Sequence, residues 1–306
     1  MQQFAFAKYN VFIFQFMLIS LSAYHFIFQG STTALFDMSD QLGFFYRNAC
    51  DGEECYTGTD MSPLIYLTAG MAIASSEKFM LKVAVVSVCI LQSLLIGKAM
   101  LTIALVVMVA VMISPSRLLK VIFIAIFLGA SLTPFVIINF YFIGVLDDPV
   151  YNALSSYRFD IYKSAVETIL DVDGDFKVFN LLFGSNQSFV VAREAFGTQF
   201  IDVSFHSAYL RLLLVNGLLY YAVSLLAFAI FVVTGLADQS VRINKVVLSF
   251  ISGYVVFGIT DMAFFTNFSS SYIPYVLQVF SVLSVAKLAE SNELKVTQNG
   301  ATLAAR

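Results

Sequence analysis

SFHSAYLRLLLVNGLLYYAVSLLAFAIFVVTG, residues 204–235, is a long apolar stretch that opens with His206 and carries Arg211 two turns in. A run of this length exceeds the roughly 20 apolar residues a helix needs to cross a bilayer. A guanidinium inside such a helix is costly unless it is paired or faces a cavity, so Arg211 is a candidate for a binding site or a buried pair. Asp261, in the outer part of a later apolar run, is its natural partner.

The rest of the chain is equally oily. Of its 306 residues, 59% are apolar and 12% charged, with 32 Phe, which excludes an ordinary soluble domain. Apolar runs near 10–29, 62–76, 82–97, 99–113, 120–145, 206–235, 246–266 and 272–288 predict an all-α, polytopic membrane bundle of about eight transmembrane helices. The second to fourth runs are short, and Pro134 is placed to break the fifth, so the count lies between seven and nine. No linker divides the chain, so residues 1–306 form a single membrane domain. The first run lacks the small-residue cleavage site of a signal peptide.

Charge sets the orientation. With the amino terminus inside, Lys8, Lys78, Lys82, Arg117, Lys120, Arg242, Lys245, Lys287, Lys295 and Arg306 share the cytoplasmic face. Both termini are then cytoplasmic, and the loops at about 30–61 and 146–205, which hold most of the acids, face out. Cys50 and Cys55 lie in the first outer loop and are able to close a small disulfide in an oxidising compartment.

Four features of the outer face carry chemistry. Lys98 separates two apolar runs, either snorkelling at a helix end or facing the bundle as an anion-seeking cation. Within the long loop, Phe159, Tyr162, Val166, Ile169 and Leu170 recur at helical spacing opposite Asp160, Lys163, Glu167 and Asp171, which predicts an amphipathic helix on the membrane surface. Ser155 or Ser156 is its expected cap, and Lys163 and Glu167 form an i,i+4 pair.

Arg158 falls in line with Tyr162, Ala165 and Ile169, so it points toward the bundle mouth or snorkels to lipid headgroups. The acidic DVDGD run at 171–175 lacks EF-hand spacing, and no metal site is expected. LLFGSNQS, 181–188, reads as a turn.

The helix of 204–235 is expected to begin near Ser204, capped by Asp202 or Ser204, with His206 in its first turn. The positive end of the helix dipole favours anions and keeps an imidazole neutral, able to accept a proton. A capping or interfacial histidine is the plainer alternative. Gly217 is expected to allow close helix packing.

The order of these features resembles the Wzy-type O-antigen polymerase and O-antigen ligase family: Gly97-Lys98 after an apolar run, Arg158 opening an amphipathic helix in an outer loop, the LLFG turn, then His206-Ser207-Ala208-Tyr209-Leu210 with Gly217 beyond. The resemblance covers roughly residues 85–285. It departs from the family in its smaller helix count, in Lys98 for an arginine, and in Ser207 for an asparagine.

It implies a metal-independent membrane glycosyltransferase of the GT-C kind, without cofactor, in the bacterial inner membrane with its active site facing the periplasm. Such an enzyme joins undecaprenyl-pyrophosphate-linked oligosaccharide units into a surface polysaccharide. In that chemistry His206 takes the proton of the acceptor hydroxyl, while Arg158, Lys98 and Arg211 neutralise departing pyrophosphate.

Membrane lipid and a chain-length regulator are admissible partners, and no nucleic-acid partner is expected. Three alternatives remain: an O-antigen ligase that transfers polysaccharide to lipid A core, a transporter that moves the lipid-linked sugar without chemistry, and a purely structural membrane subunit.

Overall fold

The computed structural model describes residues 58–75, 79–95, 99–150, 158–170, 181–184, 207–236, 239–260 and 278–291, and these are helical without a strand among them. We label the longer helices α1 (Gly58–Ala74), α2 (Phe79–Leu95), α3 (Ala99–Ile113), α4 (Leu119–Ser131), α5 (Thr133–Phe142), α6 (Arg158–Leu170), α7 (Ala208–Gly235), α8 (Val241–Phe257) and α9 (278–291). In each apolar run from residue 62 onward the described residues are thus mainly helical. The run at 10–29, Cys50 and Cys55 lie outside the described residues.

Among the described residues, two helical stretches are long and apolar enough to cross a membrane: 116–142, which joins α4 to α5, and 216–234 in α7. Pro134 does not end the first of them. It falls in the opening turn of α5, where its missing N–H is tolerated, and Leu132 bridges the two helices in α-helical backbone, so the expected break is a joint in a continuing helix.

α8 is the axis of the bundle. Every residue from Val246 to Phe257 is buried, chiefly against α3, α4 and α1. Small residues make this approach possible: the Phe250 ring lies over Gly70 of α1, and the Tyr66 hydroxyl lies against Gly253 of α8. Tyr66 donates to the Phe250 carbonyl at 2.6 Å, and the rings of Tyr66, Phe250 and Tyr254 pack with centroids 4.4–5.0 Å apart. Close packing and such hydrogen bonds hold helices together where lipid removes the hydrophobic drive between them.

α8 is antiparallel to α1, because Arg242 at its start and Lys82 of α2 both donate to the Ser75 carbonyl just beyond α1. Cations at a helix carboxyl end satisfy its orphan carbonyls and oppose its dipole. The opposite end of the bundle, at Gly258, collects the candidate site.

Candidate functional site

The start of α7 is pinned to the end of α8. Ala208 N–H donates to the Gly258 carbonyl at 3.0 Å, and the buried Tyr209 hydroxyl donates to the Val255 carbonyl, also at 3.0 Å. Ser207 is the N-cap, its hydroxyl accepting from Leu210 N–H at 3.3 Å. The helix therefore begins later than the expected Ser204. Asp202, Ser204 and His206 lie outside the described residues, and His206 directly precedes the cap in sequence. The reason is local: serine with extended backbone serves as N-cap wherever its oxygen reaches the N3 amide, and Ser207 meets that condition.

Ser207, Ala208, Tyr209 and Leu210 are all buried, and two of the leading amides are taken by protein oxygens.

α6 forms as the sequence spacing predicts, but its apolar face is covered by protein. Tyr162, Ala165 and Val166 pack with Leu210 and Leu214 of α7, Ile137 of α5 and Leu146. Arg158 is the first residue of α6, and Arg211, in the opening turns of α7, is half-buried. The expected caps Ser155 and Ser156 lie outside the described residues.

On the polar side of α6, Lys163 keeps its expected partner Glu167 at 3.9 Å, but the closer one is Asp147, which no sequence spacing could disclose. The hydrogen bond and charge of Asp147 hold the Lys163 ammonium above the usual lysine range.

Gly217 interrupts α7, with φ +78° and ψ 168°. A Cβ there would collide with the Leu182 carbonyl and the Gly184 amide nitrogen, so the segment 181–184, helical at 181–183 where the sequence predicts a turn, is seated directly on the break. The expected close contact at Gly217 is present, and it comes from the backbone of that segment. Gly184, with φ +81°, is the second glycine this contact requires.

Lys98 and Asp261 lie outside the described residues. The hairpin that contains Lys98 is closed by the Ser93 and Thr102 hydroxyls, 2.7 Å apart. Asp261 follows Gly258 by three residues, just as Arg211 follows Ala208, the two residues joined by a backbone hydrogen bond. Of the five candidates, Arg211 is thus described in full and Arg158 by its backbone. DVDGD at 171–175 is also outside the described residues.

No family model, curated protein or solved structure matches this chain. The weight therefore rests on residues and packing.

Tyr209 and Tyr221 were not singled out in the sequence. Tyr209 occupies the fourth position of the His-Ser-x-Tyr-Leu motif, which was the available signal. Tyr221, whose buried hydroxyl donates to the Ser131 carbonyl three residues before Pro134, offered none, since its partner is 90 residues away.

Proposed function

We propose that the chain is a polytopic protein of the bacterial inner membrane, with about eight spans and both termini cytoplasmic, that polymerises undecaprenyl-pyrophosphate-linked oligosaccharides at its periplasmic face. The buried cluster that Tyr162, Ala165 and Val166 of α6 share with Leu210 and Leu214 of α7 supports this reading, since Arg158 opens α6 and Arg211 follows Leu210 in sequence.

Leu128, Leu226, Phe231 and Ile113 are among many large apolar side chains exposed on the outside of the bundle, far more than water tolerates and suited to lipid. Lys82 and Arg242 gather at the end opposite Gly258, in keeping with a cytoplasmic face.

In the reaction, His206 accepts the acceptor hydroxyl's proton as that oxygen attacks the anomeric carbon. Arg158, Lys98 and Arg211 stabilise the pyrophosphate that leaves. Ser207 for asparagine leaves the motif's second position able to cap α7, since both residues are good N-caps.

One observation favours the transport reading: α7 is interrupted at Gly217, and just beyond the break Tyr221 bonds to Ser131 beside the α4–α5 joint. Interrupted helices line substrate sites in many transporters. Purified protein supplied with lipid-linked repeat units separates the possibilities. A ladder of lengthening products supports the polymerase. A product on lipid A core, or transbilayer movement with no new bond, overturns it in favour of ligase or transporter.

A further inference from the structure

The break at Gly217 divides α7 into two parts that belong to different neighbours. Its outer part, Ala208 to Asn216, is bonded to α8 through Ala208 and Tyr209 and packed on α6 through Leu210 and Leu214. Beyond the break, Tyr221 bonds to Ser131 of α4 and packs edge-on against Phe135 of α5, while Leu219, Tyr220 and Val223 are exposed. A continuous helix would make the direction of the outer part follow that of the membrane part. Here the peptide at Gly217 takes an extended, positive-φ conformation that only glycine adopts readily, so the helix itself transmits little direction.

The short helical segment 181–183, ended by Gly184, occupies that gap. Its Leu182 carbonyl and Gly184 amide nitrogen stand where a Cβ of residue 217 would be, and Gly184 itself needs positive φ to turn there. Two glycines, remote in sequence, have therefore been given up to one backbone contact. Such a contact fixes position to within a few tenths of an ångström, because neither side has a flexible side chain to yield.

We infer that the 181–184 segment seated on Gly217 is the positioning contact that sets the outer part of α7, with Arg211 and the His206-Ser207 cap sequence, against α6. Gly217 and Gly184 are positioning residues, not catalytic ones. The inference deepens the polymerase reading and depends on it only for the activity readout.

The test uses the full chain with Cys50, Cys55 and Cys89 replaced by serine and spin labels at Glu167→Cys on α6 and Tyr220→Cys on the membrane part of α7, both outside the contact. Electron–electron distance measurement should give one narrow distribution in the parent. Gly184→Ala, which leaves α7 unaltered, and Gly217→Ala should each broaden or shift it, and the double variant should do no more than either single one, as expected when both remove one interaction.

If both variants keep the parent distribution, or if their effects add, the contact does not position α7. Where the parent polymerises repeat units, each variant should lower kcat by about 100-fold with little change in KM, the signature of misplaced groups with substrate binding retained. A broadened distribution with unchanged kcat overturns the positioning role, whereas a parent that makes no polymer overturns only the enzymatic reading and leaves the distance result to decide the contact.

Discussion

Gly253 in α8 and Gly217 in α7 are both too crowded to carry a Cβ, yet the crowding differs in kind. At Gly253 the helix is regular, and the space is filled by the Tyr66 hydroxyl, with the Ala104 carbonyl 2.6 Å from where a Cβ would stand. At Gly217 the helix is interrupted and the space is filled by backbone of the segment 181–184. The first contact lets helices approach and so supports the stability of the bundle. The second aims one end of it, and aim matters to chemistry more than to stability.

The sharpest way to break that distinction is at the Gly258 end. His206→Ala and Arg158→Ala should each abolish chain growth, a loss of at least about 100-fold when a proton acceptor or a cation facing the leaving group is removed. Polymer ladders from lipid-linked repeat units measure this. The thermal midpoint in detergent should stay at the parent value. Loss of activity that merely tracked loss of stability would erase the difference between the two ends, and a His206→Ala variant that still built long chains would remove the base assignment.

Gly253→Ala should act the other way round. Forcing a methyl group between Tyr66 and α8 costs about 1–3 kcal/mol, typical of overpacking, and lowers the denaturant midpoint while the folded fraction keeps its turnover. A smaller effect is expected from Tyr66→Phe, about 1 kcal/mol, since the ring still packs and only the 2.6 Å hydrogen bond to the Phe250 carbonyl is lost. A midpoint unchanged in Tyr66→Phe would assign this contact to ring packing alone.

The least effect belongs to the Lys163–Asp147 pair on the exposed side of α6, worth under about 1 kcal/mol after screening by water. Asp147 raises the lysine's pKa in the folded state, so the pair's contribution is complete below the ordinary lysine range and fades as pH rises through the raised value. A double-mutant cycle of Lys163→Met with Asp147→Asn should show coupling at neutral pH and none in strong alkali.

Much of the helical layout was legible in the sequence because apolar runs and their period are local. α6 was readable from the alternation of Phe159, Tyr162 and Val166 with Asp160, Lys163 and Glu167, and the i,i+4 pair followed from the same spacing. The start of α7 was misplaced by a few residues because Asp202, Ser204 and Ser207 are all competent caps, and the choice depends on what meets the first amides. Gly258 makes that choice by taking the Ala208 N–H.

Composition and periodicity by themselves therefore determined that this chain is helical, where most of its helices lie, and which cations stand near the ends of apolar runs. Tertiary structure alone decided that α6 buries Tyr162, Ala165 and Val166 in one cluster with Ile137, Leu146, Leu210 and Leu214, that Tyr66 reaches into α8 at Gly253, and that the segment 181–184 lodges in the break at Gly217. The physical reason is range. Hydrophobic pattern and helix capping act over a turn or two of chain, whereas a hydrogen bond between Tyr221 and Ser131, or a backbone pressed onto a glycine, joins residues whose separation in sequence carries no trace of the meeting.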